Sequence, residues 1–419
     1  MHKKWLCEID GLEVNDQRRA SEGLYFSDKS HKIVCSVLSI NALTMAVEKF
    51  RVIVIAFPLC IHQALCYYGP HLFPSQGPFF EGWYMRIIDF SSNRSFGLLF
   101  GKVLPENAEE LKNLAVVGAL IDTNGHLKSY DEVLNPEDVS ITIHGEEMKE
   151  DPGYMSPPDF EWVVPSRASI KIRKSRSTFR VRVADIEFEG VIGSPLPWDE
   201  GLDYATKSLL KLILSSPLPL QWYLHSLGSE VSELKWTNTK TNFSYSMKPG
   251  AKILAHMEKN WGNSFPEASI WTQGIRPDSG VSFALGYGPV NFGITNIHGH
   301  LMSYKNEEKS LALTFLPLNS FATVTPSGCS RSLVADFTGL WHHLTLEVHA
   351  ANETFSDCLL APYQNGFVRS LKETYSATAQ VWVWKRVWWG WEEVDYQVVE
   401  MSALEFNGKY VWEEECKAE

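Results

Sequence analysis

The chain has 419 residues, of which 44% are hydrophobic, and a formal net charge of −12. This length is sufficient for two or three domains or for one large β-rich domain, and the composition is typical of a packed globular protein. The negative charge argues against a nucleic-acid partner, because neutralising phosphates requires Lys/Arg patches. The basic run at 171–182 is the exception. We interpret it as the solvent face of a strand pair, with a membrane-surface patch as the alternative.

Residues 1–76 differ from the rest of the chain and are predicted to form an N-terminal extension. The extension contains two apolar runs, 33–47 and 52–68. Each run is shorter than the roughly 18–20 residues that a membrane-spanning helix needs. A targeting segment, a membrane-associating hairpin and a disordered extension all remain open.

From residue 77 onward, short apolar runs recur about every ten residues and are separated by turn-forming residues, which predicts an antiparallel all-β fold. The pattern gives about sixteen strands or more, too many for one small barrel. We therefore predict two β-barrel or sandwich domains, 77–239 and 240–419. Apolar residues at helical spacing predict a short helical insertion at 202–214.

Tryptophan is unusually abundant. The chain has 15 Trp, and five of them lie between Trp382 and Trp391. Because indole is a large apolar group with one hydrogen-bond donor, this density predicts a large core or a cavity for an apolar or aromatic ligand.

The sequence lacks the common motifs of metal and cofactor sites. It contains no P-loop, no GxGxxG after a strand, no HExxH and no GxSxG, and its cysteines form no CxxC pair. His342 and His343 are adjacent in a predicted strand, so they point to opposite faces and cannot share a metal. We predict neither a metal nor a cofactor.

The segment 257–274 instead concentrates an acid, a base, an amide and two indoles around a Gly-Asn-Ser turn. It belongs to a set of polar and aromatic residues that lie in aromatic-rich sequence. The set comprises Glu81, Trp83, Tyr84, Trp222, His225, Glu258, Lys259, Asn260, Trp261, Trp271 and Gln273.

Each of these residues also has a purely structural interpretation. Glu81 could pair with Arg86, Trp83 could be a core residue, and His225 could be a hydrogen-bonded core histidine. Glu258 and Lys259 are consecutive in a strand, so at most one of them faces a given cavity. For single residues the structural interpretation is the stronger one, whereas for the group a function is favoured.

Three strings resemble the tocopherol cyclase family and occur in the family's order: FFEGWY (79–84), MEKNWGNSFPEASIWTQ (257–273) and LLAPYQNGFVRSLKETYSATAQVWVW (359–384). The resemblance covers residues 77–412. The EKNWG-x-x-FP string is specific, whereas FEGWY alone is weak. Gly262-Asn263-Ser264 departs from the glycine-richer run of the plant enzymes, so the chain resembles a divergent member.

The resemblance implies two lipocalin-like domains and an enzyme that closes a chroman ring on a prenylated hydroquinone without a cofactor. An acid protonates the alkene, and the phenol oxygen captures the cation. Glu258 would be the proton donor, with Glu81 and His225 as alternates. The remaining residues of the set would bind the substrate: Trp83, Tyr84, Trp222, Lys259, Asn260, Trp261, Trp271 and Gln273.

The expected partner is a hydrophobic small molecule, with peripheral membrane or lipid-droplet association as an open alternative. The resemblance implies a plastid location, although six acidic residues before position 30 are atypical of a plastid transit peptide. Two other functions remain open: a non-catalytic prenyl-lipid carrier, and a cyclase, hydratase or pericyclase that acts on another terpenoid or polyketide.

Overall fold

The computed structural model describes residues 68–107, 114–123, 125–149, 159–214, 218–291 and 296–411. All of these residues belong to one compact unit. Of the predicted N-terminal extension, 1–76, residues 1–67 lie outside the described residues. Within the described ranges, no helix has both the length and the hydropathy that a membrane span requires.

Two antiparallel sheets make up the fold. Among the described residues, the first sheet contains 13 strands and the second contains 10. The strands of the first sheet are β1 (Phe79–Asp89), β2 (Arg94–Leu104), β3 (Leu114–Thr123), β4 (His126–Leu134), β5 (Ser140–Ile143), β6 (Glu146–Glu147), β7 (Phe160–Val164), β8 (Ala168–Ile172), β9 (Ser177–Val183), β10 (Ile186–Ile192), β11 (Leu220–Asn238), β12 (Phe243–Ser246) and β13 (Ile253–Gly262).

The second sheet follows in the chain. Its strands are β14 (Ala268–Arg276), β15 (Val281–Asn291), β16 (Asn296–Asn306), β17 (Leu311–Phe315), β18 (Ser320–Ser327), β19 (Ser332–Gly339), β20 (His342–His349), β21 (Leu359–Tyr363), β22 (Gly366–Val387) and β23 (Gly390–Gly408). Short 3-10 turns occur at Pro136–Asp138 and Asn352–Thr354. The predicted fold class, mainly antiparallel all-β with two β-units, is confirmed, with one half-barrel sheet and a second sheet.

The strand order places β13 at the centre of the first sheet. The order is β4-β3-β2-β1-β13-β11-β10-β9-β8-β7-β5-β6, and β12 pairs with β11. In the second sheet it is β17-β16-β15-β14-β23-β22-β20-β19-β18, and β21 pairs with β22. The strand that carries the EKNWG string thus lies between β1 and β11, in the first sheet. The domain boundaries at 77–239 and 240–419 stay a prediction.

Alternate side chains of a strand point to opposite faces, so each sheet has one apolar face that encloses its own core. The first sheet curls as a half-barrel around buried residues from β1–β3, β7–β11 and β13, among them Trp83, Phe100 and Trp162. The second sheet encloses a separate core that includes Phe283, Tyr304 and Phe337. A further buried cluster, with Trp271 and Tyr375, joins the two sheets.

Helix α1 (Tyr204–Leu214) is the predicted helical insertion. Asp203 caps its first turn, accepting hydrogen bonds from the backbone N–H and the hydroxyl of Thr206 at 2.9 and 2.7 Å. After the helix, β11 runs without a break through Gly228 and Ser229. Register shifts near His225 and Gly228 absorb the extra residues.

The turn after β13 links the two sheets. Gly262 has φ of +147°, and a Cβ there would lie 2.3 Å from the Pro219 carbonyl oxygen, so glycine is required. The N–H of Asn263 donates to Pro219 O at 2.7 Å, and the N–H of Phe265 donates to Pro362 O, beside β22, at 2.9 Å. The Gly-Asn-Ser-Phe-Pro run therefore fixes the junction of the sheets.

Candidate functional site

Strands β1 and β13 pair in a register that sets Tyr84 opposite Glu258 and Trp83 opposite Lys259. Consecutive residues therefore face opposite sides. Trp83 and Lys259 face the interior of the half-barrel, and Tyr84 and Glu258 face the second sheet. The predicted site residues are accordingly divided between two clusters, as the alternation of Glu258 and Lys259 indicates.

The half-barrel cluster is centred on a buried ion pair. Lys259 Nζ lies 2.6 Å from Glu81 Oε1, and both side chains are completely buried. His71 Nδ1 lies 2.7 Å from the same carboxylate oxygen. Glu81 thus pairs with Lys259 and not with Arg86, which lies on the other face of β1.

This ion pair keeps Glu81 charged. Burial alone would raise the pKa of Glu81, but the Lys259 charge and the hydrogen bond from His71 outweigh burial and hold the pKa below its usual value. The indoles of Trp83 and Trp261 also contact the ammonium, at 5.4 and 4.8 Å from Nζ to the ring centroids. An ionised carboxylate in such a setting has no proton to donate.

His225 lies on the same side of the sheet. Its ring stacks on Tyr68 with 3.8 Å between the centroids. Burial lowers the pKa of His225 to about 3, so its imidazole is neutral at physiological pH. A neutral imidazole is a poor proton donor.

The intersheet cluster combines three carboxyl groups with tyrosine, tryptophan and arginine side chains. Its members come from five strands of both sheets. They are Tyr84 and Arg86 of β1, His256 and Glu258 of β13, Trp271 and Gln273 of β14, Glu373 and Tyr375 of β22, and Glu405 of β23.

A chain of hydroxyl groups leads to Glu373. The Tyr84 hydroxyl donates to Glu373 Oε1 at 2.7 Å, and the same hydroxyl lies 2.7 Å from the Tyr375 hydroxyl. Gly97 makes room for this arrangement, because a Cβ there would lie 2.0 Å from the Tyr375 hydroxyl oxygen. The two phenols can therefore relay a proton to or from the carboxyl group.

Glu258 lies beside these hydroxyl groups and accepts or shares hydrogen bonds with side chains from both sheets. His256 Nε2 is 2.8 Å from Glu258 Oε2, and the indole N–H of Trp271 donates to the same oxygen at 2.9 Å. Trp271 also packs edge-on against Tyr84, with 5.4 Å between the ring centroids. The predicted proton donor thus faces aromatic side chains between the sheets.

Arg86 is the fully buried cation of the cluster. Its Nη1 donates to Gln273 Oε1 at 2.7 Å, and its guanidinium lies 4.7 Å from the centroid of the Tyr375 ring. Three buried nitrogens on neighbouring residues have no partner among the described residues: Arg86 Nε, Gln273 Nε2 and His256 Nδ1. Because buried donors are normally satisfied, Arg86 Nε and Gln273 Nε2 suggest a place for the oxygen of a bound molecule or for water. His256 Nδ1 accepts a hydrogen bond when its Nε2 donates to Glu258.

The carboxyl groups cannot all be charged together. Burial, helped by the charge of Glu258, raises the pKa of Glu373 to about 8 against the opposing effects of Tyr84, Arg86 and Tyr375. Glu405 lies directly opposite Glu373 on β23. Burial first, and then Glu373 and Glu258, raise the pKa of Glu405 well above its ordinary value. Glu373 is therefore mostly protonated at neutral pH.

The predicted site residues fall into three groups. Glu81, Trp83, His225, Lys259 and Trp261 lie on the half-barrel side, whereas Tyr84, Glu258, Trp271 and Gln273 join the intersheet cluster. Trp222 and Asn260 are paired on β11 and β13. Trp222 packs near the second sheet, where Gly286 leaves space for its ring.

Sequence reasoning missed Glu373, Tyr375 and Glu405, as well as Arg86 as a member of the site. A signal was available for Glu405, an acid in the largely apolar string SALEF (402–406), whereas Glu373 lies in the mixed string SLKETYSATA (370–379). Such acids are rarely buried unless they are paired or functional. His71 and Tyr68 were missed because they precede the first predicted strand.

No group of three or more His, Cys, Asp or Glu side chains that could hold a metal ion occurs in the part of the chain that the structure describes.

No protein-family model matches this sequence, and no curated protein matches it. Among solved structures, CghA in complex with Sch210972 aligns with a TM-score of 0.52 at 11% identity, covering 82% of this chain and 96% of CghA. A second crystal structure of CghA gives the same TM-score and identity, covering 83% of this chain and 96% of CghA. Kievitone hydratase from Nectria haematococca aligns with a TM-score of only 0.45 at 11% identity, covering 82% and 94%. At this identity, the likeness to CghA establishes the fold alone.

Proposed function

We propose that this chain is an enzyme that cyclises or hydrates a hydrophobic terpenoid or polyketide substrate at the intersheet cluster, without a cofactor. The observation that carries the proposal is the geometry of the cluster, in which Glu373 is buried, accepts a hydrogen bond from Tyr84 beside Tyr375, and lies near Glu258 and Glu405. The raised pKa of Glu373 agrees with this placement. Perturbed carboxyl groups that cluster with aromatic side chains are typical of active sites. That CghA, which shares this fold, has been crystallised with Sch210972 supports a small-molecule ligand.

In this proposal Glu373 is the general acid. An acid works best when its pKa lies near the operating pH, which suits a value of about 8. Such an acid can hydrogen-bond to a carbonyl oxygen and transfer its proton as negative charge develops there. The proton that the substrate or the attacking water releases later in the reaction would return to the carboxylate through Tyr84 and Tyr375. Glu373 is a weak acid for an isolated alkene, so we favour a carbonyl-activated or conjugated substrate.

Arg86 Nε and Gln273 Nε2, which lack described partners, would donate to the substrate oxygen. Donors that are fixed before the reaction stabilise charge that develops on oxygen, because they need not reorganise. The faces of Tyr84, Trp271 and Trp222 would contact the hydrocarbon part and stabilise positive charge on carbon.

Closure of a chroman ring, as the resemblance to tocopherol cyclases implies, is the narrower form of the proposal. A carboxyl group would transfer its proton to the less substituted alkene carbon, and the phenol oxygen would capture the tertiary cation. The phenol proton would then return to the carboxylate, so no atom is gained or lost. Glu258 remains our proposed donor for this reaction, with Glu373 as its neighbour.

The test is turnover by the purified full chain on a panel that contains a phytyl-hydroquinone and conjugated carbonyl polyenes, with products identified by mass spectrometry. We expect Glu373→Gln to lower the rate by about 10²–10⁴-fold, the usual contribution of a general acid. Glu347→Gln, on the exposed face of β20, is the control and should not change the rate.

Glu258→Gln separates the two carboxyl groups. If only this variant is inactive on the phytyl-hydroquinone, Glu258 is the donor for ring closure. Equal rates for wild type and Glu373→Gln would contradict the assignment of Glu373. Saturable quenching of tryptophan fluorescence by the panel without any product would instead identify a carrier.

A further inference from the structure

Three turns of the second sheet meet at one end of the molecule. Residues 316–319 join β17 to β18, 340–341 join β19 to β20, and 388–389 join β22 to β23. The first two turns adjoin because Ser320 pairs with Gly339. The third adjoins the second because the N–H of Arg386 donates to the Trp341 carbonyl oxygen at 2.8 Å.

These turns present large apolar side chains to solvent. We call the set the tryptophan tip; its members are Leu318, Phe321, Leu340, Trp341, Trp388, Trp389 and Trp391. Trp388 is 100% exposed, Trp389 is 86% exposed and Trp341 is 64% exposed. The sequence-based expectation that the run from 382 to 391 lies in a core or cavity is therefore wrong for Trp388, Trp389 and Trp391.

Single exposed apolar residues are ordinary, but a contiguous apolar patch on a soluble fold marks an interaction surface. The tip is not a groove, because its members lie at the ends of three adjacent turns. Trp is the residue that anchors proteins at membrane–water interfaces, since its ring is apolar while its N–H stays hydrated. A row of protruding indoles suits insertion among lipid headgroups better than it suits capture of a peptide.

The charges around the tip are balanced. Lys385 lies opposite Glu392 across the β22–β23 hairpin, and the Arg386 guanidinium lies 5.0 Å from the centroid of the Trp391 ring. Glu393 supplies the second carboxylate beside these two cations. A zwitterionic surface complements such a neutral tip. Two copies of a chain of charge −12 would repel each other, which argues against self-association.

We propose that the tryptophan tip docks the protein on a zwitterionic phospholipid surface through apolar insertion of Trp388, Trp389 and Trp341. The inference does not depend on the proposed enzymatic function. It is independent of the basic run at 171–182, for which attraction to anionic lipid would be the relevant force.

The test is co-sedimentation of the full chain with sucrose-loaded vesicles of pure phosphatidylcholine. Replacing both Trp388 and Trp389 by Ser should weaken the partition coefficient by about a hundredfold or more, because each of the two buried indoles contributes about tenfold or more. Tyr204→Ser is the matched control, since Tyr204 is an 88% exposed aromatic residue on α1. It should bind like the wild type, and circular dichroism should show that all three proteins are folded.

Several outcomes would overturn the proposal. These are a wild-type protein that does not pellet with phosphatidylcholine vesicles, and a double variant that pellets as well as the wild type. Binding that appears only when phosphatidylserine is added would implicate the basic run instead. A wild-type dimer that the double variant converts to a monomer, measured by sedimentation velocity, would make the tip a self-association surface.

Discussion

Replacing Glu373 by Gln tests whether this carboxyl group is neutral in the folded protein. The amide has nearly the same shape as a protonated carboxyl group and can still accept the hydrogen bond from Tyr84. At low pH the wild type and the variant should therefore differ little in stability. As the pH rises, the unfolded wild-type chain releases the Glu373 proton. The folded wild type must then either keep this proton or ionise the buried Glu373, and each of these lowers its stability. The variant has no such proton.

The sign follows from proton linkage. The pKa of Glu373 is raised in the folded state from 4.5 to about 8, so its stabilising contribution is complete below pH 4.5 and is lost as the pH rises through 8. Between pH 5 and pH 9 the free energy of unfolding of the wild type should fall, relative to that of the variant, by on the order of 4 kcal/mol. This is an upper limit, because Glu405 shares the proton balance.

Guanidinium unfolding followed by circular dichroism at pH 5, 7 and 9 measures this difference directly. Glu347→Gln removes an exposed carboxyl group of the same sheet and should track the wild type at every pH. A gap between wild type and Glu373→Gln that does not change from pH 5 to pH 9 would refute the reasoning. It would mean that Glu373 ionises normally.

Two further predictions concern packing around the clusters. Lys259→Met should lower the free energy of unfolding, measured in urea, by about 3–5 kcal/mol, because it leaves the charge of Glu81 buried without the Lys259 ammonium. The double variant Lys259→Met/Glu81→Gln should regain most of this loss. If it regains nothing, the ion pair is not the cause. Gly97→Ala should cost about 1–3 kcal/mol, since its Cβ would collide with the Tyr375 hydroxyl. Gly118→Ala, whose Cβ would meet Leu99 at an ordinary 3.5 Å, is the control in thermal melting, and equal destabilisation of both would contradict the packing argument.

The sequence by itself determined the class of fold. Period-two alternation and turn-forming residues specify strands locally, so the β texture and the helix at 202–214 were predictable. The same alternation correctly separated Glu258 from Lys259, because the side chains of neighbouring strand residues must face opposite sides. The turn at Gly262 is visible in the sequence, but the requirement for glycine there also depends on the fold, which brings the Pro219 carbonyl oxygen within 2.3 Å of where a Cβ would lie.

Only the tertiary structure decided which residues meet. Glu373 and Tyr84 are 289 positions apart in the chain, yet their side chains are hydrogen-bonded. No local pattern encodes that contact, because strand order and the packing of one sheet on the other create it. The raised pKa of Glu373 has the same origin, since burial between the sheets and the charge of Glu258, on another strand, produce it. The exposure of Trp388 and Trp389 was equally unpredictable, because composition cannot distinguish a core indole from one at the tip of a hairpin.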